Sequence, residues 1–222
     1  MTIDMHAHWS PPELIDIYRA RTEAPMIYTN DDGEEVIKTR RGEQAFAGMF
    51  DDLDTRLAEM DEHGIATGVL SLWGPHQWIE RLPVAQSVPA VQVFNDSVSA
   101  VCAAHEGRFA AFASLPQADI DAAVTEFDRA MALPGIIGAI LPGNAFMTES
   151  DLAPYRPILE AANRHKAVLF IHWGPRPGDA WPRVTPDTDN FIRRMGTLDM
   201  QSNLSACTVT LTMTDVLDDY PD

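Results

Sequence analysis

The stretch "DLDTRLAEMDEHGIATGVLSL", residues 52–72, contains a helix followed directly by a strand. Its first half predicts an amphipathic helix from Asp52 to His63. The apolar residues of this helix recur on one face: Leu53, Leu57 and Met60. Gly64 ends the helix, because glycine adopts the left-handed cap conformation without strain. The apolar run Ile65–Leu72 then has the pattern of a strand buried on both faces, so the stretch predicts one unit of an α/β fold.

The same alternation of short apolar strands and helices extends along the chain on both sides of this unit. The predicted strands are Thr2–His8, Ile65–Leu72, Phe109–Ser114, Ile136–Leu141 and Ala167–His172. The predicted helices are Asp52–His63, Val88–Glu106, Asp119–Ala132, Ser150 or Asp151 to Lys166, and Thr197–Asp219. Strands that alternate with helices predict βα units and a parallel sheet.

Two connections are too long to be simple turns, residues 9–51 and residues 173–196. The first predicts a small β-hairpin insertion over residues 19–50, with its turn at Asp32-Gly33. Connections of this length in a compact domain are usually functional. We therefore expect both to contribute to a site.

The composition predicts one domain, residues 1–222, and disfavours several kinds of partner. The chain is 45% hydrophobic, and 16 basic residues against 33 acidic ones give a formal net charge of −17. Such a charge repels nucleic acid and anionic membrane surfaces, and no apolar run approaches the roughly 20 residues of a membrane span. The two cysteines, Cys102 and Cys207, have no paired spacing, which favours a reducing cytoplasm.

Two histidines one residue apart, His6 and His8, lie at the end of the first predicted strand. Residues two apart in a strand point the same way, so we expect both rings to project together with Asp4, with Ile3, Met5 and Ala7 opposite. The carboxyl ends of strands are where βα folds place their active sites. The pair is either half of a metal site or two histidines satisfied by hydrogen bonds at a strand end.

A third histidine, His172, ends the fifth predicted strand in the same relative place. A buried structural histidine is the alternative, but three histidines at one end of a parallel sheet favour a divalent metal site. Imidazole ligands suit zinc, with manganese, iron and cobalt as alternatives. The histidines near helix ends, His63, His105 and His165, are predicted to be surface residues.

Several residues near the predicted strand ends are candidates for contact with a substrate. They are Lys38, Arg41, Trp73, His76, Asn144 and Trp173. A basic group in the hairpin can bind a substrate carboxylate, although a solvated hairpin is the alternative. The tryptophans either line an aromatic pocket or pack in the core. No glycine-rich nucleotide loop and no serine-hydrolase motif is present in the sequence.

Four blocks of the sequence together resemble one known family. They are "IDMHAHWSPPEL", "RLAEMDEHGIATGVLSL", "GRFAAFASLPQADIDAAVTEFDRA" and "LAPYRPILEAANRHKAVLFIHWGP". In this order they are similar to the amidohydrolase superfamily, in the amidohydrolase-related branch typified by aminocarboxymuconate-semialdehyde decarboxylase. The resemblance implies a metal-dependent (β/α)8 TIM barrel and a homodimer. It also implies a divalent metal, commonly zinc, on His6, His8 and His172, with Lys38 or Arg41 binding the carboxylate of a small substrate.

The chain departs from that family after the fifth strand. The family has a water-positioning histidine after strand six and an aspartate after strand eight, and neither has a counterpart here. We therefore expect this chain to cover about the first five βα units, as a truncated form of a longer enzyme, and the catalytic residue stays unassigned. The resemblance predicts a metal-dependent non-oxidative decarboxylase of a small unsaturated or aromatic acid. A hydrolase, or a non-catalytic metal-binding half-barrel if 222 residues is the natural length, are the alternatives.

Overall fold

The structure of the protein, a computed structural model, describes residues 2–39, 42–46, 52–72, 76–179 and 194–221. The described strands are β1 Thr2–Trp9, β2 Met26–Thr29, β3 Glu35–Thr39, β4 Gly42–Ala45, β5 Ile65–Leu72, β6 Phe109–Ala113, β7 Ile136–Pro142 and β8 Val168–His172. Those of the main sheet pair in parallel in the order β1-β5-β6-β7-β8. The predicted parallel sheet is therefore confirmed, with strand ends within a residue or two of the predicted ones.

The described helices are α1 Pro12–Ala20, α2 Leu53–Glu62, α3 Val84–Ala104, α4 Ile120–Ala130, α5 Glu149–Leu152, α6 Arg156–His165 and α7 Met200–Met213. The side chains of Asp52 and Asp119 accept the backbone N–H groups of Thr55 and Ala122, so both aspartates cap helix N-termini. No helix in these ranges is long and apolar enough to cross a membrane.

The ends of three predicted helices are wrong, each for a local reason. α3 begins at Val84 rather than Val88, because the carbonyl of Pro83 accepts the N–H groups of Gln86 and Ser87 and closes an earlier turn. The helix predicted to start at Ser150 or Asp151 is instead split by a 3₁₀ turn into α5 and α6, and Thr148 is its cap. Prolines in this stretch supply no N–H donor to a continuous helix.

The last helix also differs from its prediction of Thr197–Asp219. A π-turn over Met195–Asp199 precedes α7, and Thr214, in an extended conformation, ends it. A separate 3₁₀ turn, Asp215–Leu217, follows. The β-branched threonines of α7 lose side-chain freedom in a helix and so have a low helix propensity. For this reason the sequence pattern is a poor guide to where α7 begins and ends.

The predicted hairpin is confirmed as β2 and β3, but the insertion contains more than a hairpin. The turn is closed by Asn30, whose side-chain oxygen accepts the N–H groups of Asp32 and Glu34, and by Gly33 at φ +82°. The strand β4 adds to β3, forming an antiparallel three-stranded sheet in the described residues. All four residues of β4 are exposed, so no apolar alternation marks it in the sequence.

The main sheet is strongly curled, as the short distance between its two edges shows. Neighbouring strands lie about 4.8 Å apart, so the edges of a flat sheet of this size would be roughly 19 Å apart. Here β1 and β8 are the described edges, yet the ring centroids of His6 and His172 are only 5.1 Å apart. The sheet is thus a partial TIM barrel. The larger apolar core lies between sheet and helices, and a smaller cluster of Val69, Phe112 and Ile140 packs on the concave side with Phe170.

Candidate metal centre

Three histidines meet at the carboxyl ends of β1 and β8. The nitrogen atoms that His6, His8 and His172 can offer to an ion all lie within 4.8 Å of one another. The Nε2 atoms of His6 and His8 are 3.0 Å apart, and the ring of His172 stands edge-on to the ring of His8 at 5.2 Å. The curl of the sheet therefore brings together the three histidines that the sequence predicted to share a site.

The strand β1 carries an irregularity just before these histidines. Its pairing with β5 advances from Asp4 opposite Gly68 to Ala7 opposite Leu70, three residues on one strand against two on the other. Such a bulge interrupts the alternation of side chains. The prediction that Asp4 projects with the two histidines is wrong for this reason: Asp4 borders a cavity against α2 together with Ala7, and its carboxylate accepts the backbone N–H of His6 at 3.0 Å.

The ring of His8 is held from behind by a hydroxyl group. Its Nδ1 lies 2.9 Å from the Oγ of Ser71, and the same Oγ lies 3.3 Å from the carbonyl oxygen of Ala7. Ser71 sits opposite His8 in the parallel pairing of β1 with β5, and its side chain is buried. This contact leaves the Nε2 of His8 facing the other two rings.

The ring of His172 is held by a backbone carbonyl. Its Nδ1 lies 2.9 Å from the carbonyl oxygen of Trp173. A carbonyl oxygen only accepts hydrogen bonds, so Nδ1 carries the proton and Nε2 keeps its lone pair. Metal-binding histidines typically donate their other ring N–H to such an acceptor.

The electrostatic surroundings keep two of the rings neutral. Burial, followed by the proximity of His172 and His6, lowers the pKa of His8 to about 4. Burial also lowers the pKa of His172 to about 4, with smaller contributions from His6 and the charge of Arg81. Both imidazoles are therefore uncharged at neutral pH, the form that binds a metal.

An apolar floor lies below the three rings. The ring of Phe170, two residues before His172 on β8, is 5.2 Å from the ring of His6. It stacks on the ring of Phe112 at 5.2 Å, with an angle of 7° between the planes. The stacked rings offer a flat apolar surface beside the histidines.

These donors fit a divalent transition metal. Metal–nitrogen bonds are about 2.0–2.1 Å long, so two imidazole nitrogens on one ion lie about 3 to 3.5 Å apart. The 3.0 Å between the Nε2 atoms of His6 and His8 falls at that spacing. Neutral imidazole nitrogens suit zinc, manganese, iron or cobalt, whereas calcium and magnesium prefer oxygen ligands.

Two of the residues predicted to contact substrate, Asn144 and Trp173, follow the neighbouring strands β7 and β8. Trp173 directly follows His172, and its indole N–H donates to Asp199 at 3.3 Å. Asn144 is buried, donates to Asp179 at 2.8 Å and accepts from Asn203 at 2.6 Å. Their role toward a substrate stays a prediction.

Lys38 is half-exposed on β3 and pairs with Glu43 at 3.0 Å. Arg41 and Trp73 lie outside the described residues, as does the side chain of His76, whose backbone begins a 3₁₀ turn over His76–Arg81. Their proposed contacts with substrate therefore also stay predictions.

The remaining described histidines lie apart from the cluster. His63 is exposed at the end of α2, and His165 pairs with Asp128 at 2.7 Å on the surface. His105 is half-buried, with its ring 5.9 Å from that of Phe109. His63 and His165 are thus surface residues as predicted, whereas His105 is partly buried beside Phe109.

Sequence reasoning missed two residues beside the cluster. Ser71 was visible as a polar residue within the apolar end of β5, "GVLSL", although that pattern alone does not say what it contacts. The side chain of Arg81 is 7% exposed, lies over the ring of Trp78 at 4.9 Å and acts on the pKa of His172. No sequence pattern marks Arg81, because its surroundings come from three separate segments of the chain.

Comparison with known proteins is consistent with this geometry. A family model described as amidohydrolase matches residues 3–222. Gamma-resorcylate decarboxylase of Rhizobium radiobacter is 34% identical over 148 residues, covering 60% of this chain and 42% of that protein. The chain therefore spans less than half the length of this curated relative.

Solved structures share the fold over nearly the whole chain. The apo crystal structure of Metarhizium anisopliae IDCase has a TM-score of 0.71 at 20% identity, covering 100% of this chain and 63% of that one. A dihydroxybenzoic acid decarboxylase from Polaromonas sp. JS666, with bound manganese and the inhibitor 2-nitroresorcinol, has a TM-score of 0.62 at 22% identity. It is covered over 63% of its chain, against 100% of this one.

Proposed function

Because this chain belongs to the amidohydrolase family, we propose that it is a metal-dependent, non-oxidative decarboxylase of a small hydroxylated aromatic acid. The observation that carries the proposal is the convergence of His6, His8 and His172 at the mouth of the barrel. The decarboxylase activity named for the Rhizobium radiobacter relative supports a lyase over the hydrolase alternative.

The three histidines would hold one divalent ion through ring nitrogens. Imidazole ligands suit zinc, which is the proposed ion, and the manganese bound in the Polaromonas enzyme supports manganese as the alternative. When bound, such an ion supplies positive charge that attracts substrate oxygens and lowers the pKa of water. The carbonyl of Trp173 accepts from the Nδ1 of His172, which leaves the Nε2 of that ring for the ion.

The surroundings of the histidines suit a flat, anionic substrate. The stacked rings of Phe170 and Phe112 give an apolar floor against which an aromatic ring can lie. The buried charge of Arg81 raises the electrostatic potential near His172 and so favours a carboxylate there. The other proposed substrate contacts are Lys38, Arg41, Trp73, His76, Asn144 and Trp173.

In the proposed reaction, a proton adds to the ring carbon that bears the carboxylate. The bond from that carbon to the carboxylate then breaks, carbon dioxide leaves, and the electron pair returns to the ring. A hydroxyl group beside the carboxylate makes this protonation easier, which is why a hydroxybenzoate is the proposed substrate class. The proton donor is not assigned to a described residue.

We also propose a homodimer located in the cytoplasm. The homodimer is what the family resemblance implies; the exposed apolar residues Ile3, Met5 and Val168 on the described edge strands are surfaces that the later strands of a barrel or a second copy would cover. The buried free thiols Cys102 and Cys207 support a reducing compartment.

A metal-reconstituted assay tests the proposed function. The protein, loaded with manganese or zinc, is incubated with 2,6-dihydroxybenzoate and related hydroxybenzoates while carbon dioxide release is followed. We expect metal-dependent release that is lost in His172→Ala and kept in the surface control His165→Ala. Equal release by metal-free protein contradicts the metal role, and metal binding without release from any acid in the panel contradicts the lyase.

A further inference from the structure

The polar residue Ser71 reaches the histidine cluster without belonging to it. It lies on β5, is 1% exposed and faces His8 across the parallel pairing of β1 with β5. Its Oγ is within hydrogen-bond distance of two groups, the Nδ1 of His8 and the carbonyl oxygen of Ala7. The hydroxyl of Ser71 has one proton, so it can donate to only one of these two groups.

The direction of the two hydrogen bonds follows from the donor inventory. The carbonyl of Ala7 only accepts, so the hydroxyl of Ser71 donates to it at 3.3 Å. The remaining lone pairs of Oγ then accept a proton from the Nδ1 of His8 at 2.9 Å. The opposite direction would put an N–H on the Nε2 of His8 and leave the carbonyl of Ala7 without this donor.

We propose that Ser71 is a positioning residue that fixes the Nδ1–H tautomer and the ring orientation of His8, so that its Nε2 presents a lone pair to a metal ion. The inference rests on the proposed function only for the identity of what Nε2 binds. The tautomer of His8 can be measured in the metal-free protein. His172 is fixed by a backbone carbonyl, which substitution cannot remove. The backbone of Ser71 and Leu72 also hydrogen-bonds to the ring of His8 and stays in every variant, so substitution of Ser71 tests the part of this control that its hydroxyl supplies.

The first test measures metal affinity with cobalt as the probe, from the visible absorption of the bound ion. Loss of an outer partner of a metal-binding histidine costs about 10- to 100-fold in affinity, and we expect that loss in Ser71→Ala. Ser71→Thr retains the hydroxyl and is expected to restore affinity to near the wild-type value. The matched control is Ser99→Ala, which removes another buried hydroxyl, bonded to the carbonyl of Pro134 at 2.8 Å and far from the site, and should leave affinity unchanged.

The second test reads the tautomer in metal-free protein from the nitrogen chemical shifts of the His8 ring. We expect Nδ1–H in the wild type and in Ser71→Thr, and a shift toward Nε2–H in Ser71→Ala. A wild-type His8 protonated on Nε2, or a Ser71→Ala protein with unchanged tautomer and unchanged cobalt affinity, overturns the proposal. If wild-type protein binds no cobalt, the proposed function fails, while the tautomer measurement still decides the role of Ser71.

Discussion

The edge strands and the central strands of the described parallel sheet differ in burial and in the residues they contribute to the site. On the edges, residues are half-exposed: Ile3 and Met5 on β1 are 46% and 41% exposed, and Val168 on β8 is 46% exposed. In the centre, Leu70 on β5 and Phe112 on β6 are completely buried. Yet the three clustered histidines all lie on the edges. Packing is thus concentrated in the centre, and the site depends on how far the centre bends the edges toward each other.

The largest expected effect falls on the edge strand β8. His172→Ala removes one of three converging nitrogens, so we expect zinc affinity to fall by well over the factor of about 100 that loss of an outer partner costs. The stability of metal-free protein should change little, because His172 is not part of the apolar core. Calorimetric zinc titration measures the affinity, with His165→Ala as the surface control.

Equal zinc affinity in the wild type and His172→Ala would show that the two edges do not share an ion. The edge strands would then carry their histidines for separate reasons, and the contrast with the centre would lose its functional meaning.

The next effect concerns a carboxyl group that is buried in the 3₁₀ turn following the central strand β5. Glu80 is 2% exposed, accepts from Gln117 at 2.6 Å and lies 3.7 Å from Arg81. Burial raises its pKa from 4.5 to about 7, against the opposing influence of Arg81, Ser114 and Gln117. The folded state therefore binds this proton more tightly than the unfolded state, and stability falls as pH rises from about 4.5 through 7.

Glu80→Gln removes this titration while keeping the shape of the side chain. A pKa difference of this size corresponds to roughly 3 kcal/mol, so wild-type stability should fall relative to the variant by about that amount between pH 4.5 and pH 8. Urea unfolding of both proteins at pH 5 and pH 8 measures the difference. Parallel pH profiles of the two proteins would contradict the raised pKa of Glu80.

The third effect links the two regions through Gly138. A Cβ atom on this β7 residue would collide with the backbone carbonyl of Val168, so the absence of a side chain lets β8 approach. Gly138→Ala should cost about 1–3 kcal/mol of stability and should also weaken zinc binding by shifting the strand that carries His172. The control is Gly68→Ala on β5, where the nearest atoms to an added Cβ are 3.7 Å away.

Chemical unfolding and zinc titration of both glycine variants separate these outcomes. A Gly138→Ala protein that loses stability but binds zinc as the wild type does would show that the curl of the sheet tolerates a shift of β8. The position of the edge would then matter less to the site than the contrast between edge and centre suggests.

Most of the sheet and the three histidines could be predicted from the sequence, because both follow from local patterns. Apolar runs mark the buried strands. His172 ends β8 and His8 lies next to the end of β1, so the sequence places both histidines at the carboxyl ends of their strands. The bulge that turns Asp4 away could not be predicted, since it arises from pairing between β1 and β5. Strand β4 and the buried position of Arg81 were missed for a similar reason: tertiary packing, rather than residue pattern, determines them.

Anomalous diffraction from crystals of the manganese- or zinc-loaded protein tests most directly whether the two edges share one ion. We predict a single strong peak within coordination distance, about 2.0–2.3 Å, of ring nitrogens from His6, His8 and His172 together. A metal-loaded crystal with no peak between these rings, or with the ring of His172 turned away from an ion held by His6 and His8, would contradict it.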